Sequence, residues 1–291
     1  MNTVVVRVPA TIANLGPGFD ALGLALSWHN EVRVERTSDG LSVSATGPGA
    51  ESLARDETNL VVRALRSVMG ECGLGVNQLI AIPNGRGFGS SAAAVVAGLV
   101  AGRALAGSNE TDDGLLSKAI GLEGHADNVA PCMFGGITVS TAHSTVRIEP
   151  PASIRVLVCI APTTMPTDAA RAALANEVTR SDAVANIGRA ALLVAALTEG
   201  RSDVLMEATK DELHQGARFE LMPESGELVL ALRGAEVPAF LSGAGPSVAA
   251  LVDEASAASA EKAAKTLAPR EWEVRLESID PQGARIVSQR D

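Results

Sequence analysis

The stretch from Pro83 to Gly98 reads PNGRGFGSSAAAVVAG, and it narrows the fold more than any other part of the chain. Three glycines at alternate positions, Gly85, Gly87 and Gly89, lead into Ser90 and Ser91 and then into a run of small apolar residues. The segment before it, QLIAIP (78–83), predicts a short strand, and the Ala-rich segment after it predicts a helix over 90–105. Glycine lets the backbone turn its N–H groups inward and form a nest for an anion. A helix starting just behind adds its dipole and its unpaired N–H groups. Ser90 and Ser91 have two uses there, capping the helix or offering a hydroxyl to a phosphate-bound metal. On spacing alone, a bare turn into a buried helix accounts for the pattern as well as a phosphate cradle does.

Several familiar nucleotide sites are excluded. A Walker A loop needs a lysine ahead of its Ser/Thr, and the first lysine of this chain is Lys118. The same gap removes a protein-kinase lysine from the first half. The spacing GxGxG is also not the GxGxxG of a dinucleotide fold. The chain is 46% hydrophobic, mostly alanine and valine, but only 2% aromatic and without tyrosine. That describes a closely packed core and leaves little for a base-stacking nucleic-acid surface. A net charge of −10 opposes phosphate-backbone binding as well, so an anionic ligand needs a locally positive pocket.

The opening residues, MNTVVVRVPA, lack the long apolar run of a signal peptide, and the block at 92–102 is too short to cross a bilayer. Cysteines at 72, 132 and 159 have no metal-ligand spacing and read as reduced, mostly buried thiols of a cytoplasmic protein.

Across the 291 residues, strands are expected at 3–10, 30–36, 41–47, 135–140, 154–162, 237–241 and 247–252. Helices are expected at 59–69, 167–175, 183–199, 202–215, 224–234 and 255–267. Strands and helices alternate in both halves, which points to an α+β or α/β protein of two lobes. The proline pair in EPPAS (149–153) marks the boundary, with lobes at 1–152 and 153–291.

Four ordered segments carry a family resemblance: VPATIANLGPGFDALGLAL (8–26), GRGFGSSAAA (85–94), EGHADNVAPCMFGG (123–136) and LSGAGPSVAAL (241–251). Together they resemble the GHMP small-molecule kinases. TDAARAAL (167–174), SDAVANIGRAALLVAAL (181–197) and DELHQGAR (211–218) continue the likeness into the second half, closest to the branch that phosphorylates homoserine. Two departures stand out. Phe88 occupies a place where leucine is usual, and HQGAR replaces a more typical Pro-Tyr before the arginine.

The resemblance implies an N-terminal lobe like ribosomal protein S5 domain 2 and a ferredoxin-like C-terminal lobe. It implies transfer of the γ-phosphate of ATP to the hydroxyl of L-homoserine, with Mg²⁺ as cofactor, no nucleic-acid or membrane partner, and room for a homodimer. ATP would lie along Pro83, Gly85, Arg86, Gly87, Phe88, Gly89, Ser90 and Ser91, with Asn59 near adenine and ribose. Ser91 and Glu123 would hold the metal. Asn14 and Asp20 would take the substrate ammonium; Asn and Asp also stabilise glycine-rich turns. Arg171 and Arg218, with Thr167, would take its carboxylate, and His125 and Gly243 would line the same pocket. Asp127 and Asn128 would stand nearest the reacting groups. Asp127 could act as a general base, or Asn128 could orient the hydroxyl on a route without a base.

Overall fold

In TVVVRVPATIA every second residue, Val4, Val6, Val8, Ala10 and Ile12, is completely buried, as a strand with one face on the core requires. This is β1 (Thr3–Ala13) of a computed structural model that describes residues 2–290. It pairs antiparallel with β2 (Leu22–Thr37), far longer than the expected 30–36 because the strand begins inside LGLAL. Next come β3 (Leu41–Thr46), α1 (Leu60–Met69) and β4 (Gly73–Leu79), with β3 and β4 parallel. The expected strand at 78–83 is therefore displaced toward the N-terminus, since Gly73 and Gly75 hide a strand that the ladder with β2 nevertheless forms. Beyond it, Ala81 and Ile82 donate their N–H groups to the Asn30 side chain at 2.7 and 2.8 Å. That side chain carries the chain from the sheet into the glycine loop.

α2 (Ser90–Ala106) follows, almost wholly buried, and packs on α1. At Gly98 a Cβ would collide with the Val61 carbonyl of α1, so the helices approach closely only because that position has no side chain. Two helices not expected from the sequence come next, α3 (Asp112–Glu123) and α4 (Ala126–Phe134), the latter enclosing Pro131. A hairpin of β5 (Ile137–Ser140) and β6 (Thr145–Ile148) joins the start of β2.

The chain then builds a second, antiparallel sheet. Its elements are β7 (Ile154–Ile160), α5 (Thr167–Ala172), α6 (Arg180–Glu199), α7 (Leu205–Ala208), α8 (Gln215–Leu221), α9 (Pro223–Gly234), β8 (Ala239–Leu241), β9 (Val248–Asp253), α10 (Ala257–Leu267) and β10 (Glu273–Glu277). The strand order is β10-β7-β9-β8. The helix expected over 202–215 breaks after Ala208, because Asp211 accepts from the N–H groups of Leu213, His214 and Gln215 and starts a new helix, α8. Successive β7 residues alternate between two cores. Val156, Val158 and Ile160 join the large one shared with the first sheet, while Leu157 and Cys159 pack under α9 and α10.

The last strand, β11 (Arg285–Arg290), returns to the first sheet beside β1, giving the order β11-β1-β2-β4-β3 with the β5–β6 hairpin on β2. The first sheet thus takes a strand from the stretch 153–291 that the sequence assigns to the second lobe. Asp280, just before it, is buried and bonded to His29 and to Arg285 at 3.0 Å. Burial alone would raise its carboxyl, but those bonds and the Gln282 N–H hold it far below the usual carboxylate range.

Candidate active site

A cleft of about 630 Å³ is lined from the first sheet by the glycine loop, the 13–20 loop and the α3–α4 junction. From the second it is lined by α5, Arg218 of α8 and the turn at Gly243–Gly245. The glycine loop supplies its floor. Its carbonyls are turned away: Gly85 accepts from the Met165 N–H at 2.9 Å, Gly87 from Ser242 Oγ at 2.7 Å, Phe88 from the Thr11 N–H at 3.1 Å, and Gly89 from the Ala93 N–H at 2.9 Å. From Gly85 to Ser91, by contrast, no N–H has an acceptor among the described residues. A Cβ on Gly87, whose φ is +87°, would strike the Ser242 carbonyl. Neither serine caps α2, which leaves the first-turn N–H groups open at the positive end of the helix. Carbonyls engaged elsewhere and N–H groups left without acceptors are the pattern of an anion nest rather than of a bare turn.

At the opposite polarity, Glu123 is the last residue of α3, at the negative end of that helix. Burial raises its carboxyl, against the lowering effect of the Ser91 hydroxyl, which donates to Oε2 at 3.0 Å. A desolvated carboxylate and a hydroxyl beside a phosphate nest form a donor set suited to Mg²⁺, which is usually held by one or two protein oxygens plus phosphates. The described residues contain no group of three metal-ligating side chains, as such a shared site requires none.

The α3–α4 junction brings in the remaining polar groups. His125 Nδ1 lies 2.7 Å from Asp127 Oδ1, and this bond raises the imidazole against the lowering effect of burial. The adjacent Asn128 accepts at Oδ1 from the Thr11 hydroxyl at 2.7 Å. Thr11 is fully buried and lies within the quoted VPATIAN segment, yet nothing in the sequence marks it as different from its strand neighbours. Its bond to Asn128 fixes the amide, and Nδ2 has no partner among the described residues.

The other end of the cleft is strongly charged. Arg171 makes a two-pronged ion pair with Asp20 at 2.8 and 2.9 Å, and that bond raises the guanidinium further. Asp20 and Asn14 both have positive φ, +56° and +71°, and the Asn14 amide closes the loop by accepting from the Asp20 N–H and donating to the Gly243 carbonyl, each at 3.0 Å. Asn14 is thus largely occupied with holding the loop. Arg218 is buried, which lowers its guanidinium, and its Nη1 donates to the Gly243 carbonyl and to His214 Nδ1, at 3.1 and 3.0 Å. His214 Nε2 in turn donates to the Gly16 carbonyl at 2.8 Å, and burial lowers this imidazole, so it is neutral. Phe19 lies against Arg171, Arg218 and His214.

Most of the expected residues converge here: Asn14, Asp20, Thr167, Arg171, Arg218 and Gly243 at the charged end, and the glycine loop, Glu123, His125, Asp127 and Asn128 at the other. Three do not. Pro83 and Arg86 line neither this cleft nor its neighbour. Phe88 contributes backbone, while its ring is buried against Trp28. Asn59 lines a second cavity of about 260 Å³ that shares Ser90 and Ser91 with the cleft. Its side chain caps α1 through the Val61 N–H and donates to the Ala54 carbonyl, at 3.0 and 2.9 Å. Of the three thiols, Cys132 and Cys159 are buried and burial pushes Cys159 up to about 12, which rules out a thiolate nucleophile there.

Residues 59–136 match the model of the GHMP kinases N terminal domain, and residues 184–269 match that of the GHMP kinases C terminal. A homoserine kinase of Streptomyces avermitilis is 47% identical, covering 98% of this chain and 95% of that protein. A homoserine kinase of Clavibacter michiganensis is 41% identical over 97% of this chain and 93% of its own length. Among solved structures, a homoserine kinase from Cytophaga hutchinsonii superposes with a TM-score of 0.89 at 28% identity, covering 99% of this chain and 98% of that one. A mevalonate kinase, at 13% identity, shares the fold with a TM-score of 0.70, covering 96% of this chain and 99% of that one.

Proposed function

The chain belongs to the GHMP kinases, and from that premise we propose that it transfers the γ-phosphate of ATP to the side-chain hydroxyl of L-homoserine. The products are ADP and O-phospho-L-homoserine, a step in threonine biosynthesis. The observation that carries the acceptor assignment is the Asp20–Arg171 ion pair beside the buried Arg218. A zwitterionic amino acid brings an ammonium and a carboxylate and can exchange with both halves of that pair. Asp20 then receives the ammonium, and Arg171 with Arg218 forks the carboxylate. An uncharged alcohol would leave three buried or half-buried charges without a role.

The phosphates lie on the N–H groups of Gly85–Ser91 and the start of α2, and the nucleoside reaches over Ser90 and Ser91 into the second cavity. Ser91 and Glu123 would hold Mg²⁺, which when bound neutralises the phosphate oxygens in place of a lysine. Anchored by its two charges, homoserine directs its hydroxyl toward Asn128. Because Thr11 fills the Asn128 carbonyl, the free Nδ2 donates to the hydroxyl oxygen and aims it at phosphorus. The O–P bond forms as the bond to ADP breaks, and the hydroxyl proton passes to water with or after that step, without a dedicated base. A loose transition state demands little nucleophilic push, which makes that route workable. Asp127 is occupied by His125 and shapes the pocket. Unpaired thiols at 72, 132 and 159 accord with a reducing, cytoplasmic setting.

ADP release with Mg-ATP and a panel of L-homoserine, L-serine, L-threonine and mevalonate tests the assignment. Homoserine should stimulate release selectively; no stimulation would overturn it. Asp127→Asn tests the proton route. Retained turnover with an unchanged pH profile is expected, and a severe loss would restore Asp127 as base.

A further inference from the structure

We propose that the side-chain carboxamide of Gln78 reads the edge of the nucleotide base. Gln78 lies on β4, paired in register with Ala45 of β3, on the face that also bears the buried Leu74 and Val76. Leu74 and Val76 pack into the core, but Gln78 lines the second cavity, at the N-termini of α1 and α2. It is only 3% exposed, its Nε2 has no hydrogen-bond partner, and no bond to its Oε1 occurs among the described residues. Two neighbouring polar side chains in that wall are already engaged, Asn59 in capping α1 and Ser91 with Glu123.

A buried amide with nothing to bond is costly, and a leucine of similar size would fill the site better. The cost is recovered only when something polar enters the cavity. The cavity shares Ser90 and Ser91 with the cleft that contains the phosphate nest, so a ligand held there by its phosphates and reaching over those serines brings its base to the wall that bears Gln78. Leu53, Leu60 and Ala94 supply apolar walls for the ring. A carboxamide offers a donor and an acceptor side by side, which matches the 6-amino group of adenine next to a ring nitrogen. This inference rests on the proposal that the chain uses ATP.

The test compares ATP with purine riboside triphosphate, which lacks the 6-amino group, in the wild type and in Gln78→Leu. The variant should raise the KM for ATP about ten-fold or more while leaving the KM for homoserine within about two-fold. Removing the amino group should cost the wild type about ten-fold in kcat/KM and cost the variant almost nothing, because the contact is already gone. The Tm of the unliganded variant should be no lower than that of the wild type, with a smaller rise on adding ADP. If leucine disturbs folding, Gln78→Met provides the same comparison. An unchanged KM for ATP, or the same amino-group penalty in both proteins, would overturn the base contact alone. A wild type that does not turn over ATP would overturn the kinase assignment itself.

Discussion

Thr11 shows how much a single buried hydroxyl can decide. It is completely buried in β1 and its bond to Asn128 leaves the amide one orientation. Thr11→Val keeps the shape and removes the donor, so kcat should fall about ten-fold or more with the homoserine KM nearly unchanged. Thr11→Ser should restore most of the loss; equal damage from both substitutions would point to packing instead. Arg171 behaves in the opposite way. Its half-exposed guanidinium contributes to holding substrate, so Arg171→Ala should raise the homoserine KM by about 10–100-fold and the ATP KM far less. Steady-state kinetics with each substrate varied separately checks both. Thr11 could not be ranked from the sequence, and only the family resemblance raised Arg171 above the other arginines. Thr11 meets Asn128 across 117 positions, and Arg171 meets Asp20 across 151. Contacts of that span leave no local periodicity to read.

At the scale of elements, backbone demands were the most readable. The glycine loop could be recognised because amide nests and close approaches require glycine itself, and Gly87 meets the Ser242 carbonyl where no Cβ fits. The α1–α2 pair makes the same point in a helix. Alanine usually stabilises a helix by about 1 kcal/mol over glycine, whereas forcing a methyl into a packed contact costs about 1–3 kcal/mol. At Gly98 the new methyl would meet backbone rather than a movable side chain, so the second term should win. Gly98→Ala should therefore lower stability by about 1–2 kcal/mol in urea unfolding, against the propensity trend. Less readable were β4, disguised by Gly73 and Gly75, and α4, with Pro131 inside it. In both, tertiary partners outweighed local preference: the ladder with β2 in one case, and packing on β1 and β2 in the other.

At the scale of the whole molecule, His214 joins the 14–20 loop of the first half to α8 of the second. Its Nε2–H holds Gly16, its Nδ1 receives Arg218, and Phe19 stacks on it. Asp211, Arg218 and Asp20 are the charged groups acting on it, and burial lowers its pKa below the ordinary 6.5. In the unfolded chain the imidazole takes up a proton as pH falls through about 6.5, while in the folded protein it does so only at lower pH. Its contribution is thus neutral above that value and increasingly destabilising below it. Urea midpoints should fall between pH 7 and pH 5, and His214→Gln should flatten that slope whatever its effect at pH 7.5. An unchanged slope would show that the imidazole is not the titrating joint.

By itself the sequence determined the loop, the strand alternation and the order of four segments shared with a kinase family. Each of these is written in neighbouring residues, through the glycines that a nest requires and the period of two that a buried face imposes. Only the tertiary structure decided which amides of the loop are left without an acceptor, that the Asn14 and Asn59 side chains are engaged by the fold, and that Thr11 and His214 bond to residues lining the cleft or its loop while Gln78 lines the second cavity. It also decided that β11 closes the first sheet. The reason is the same throughout: whether a polar group is spent or left free depends on partners brought near by folding, and those partners are distant in the chain.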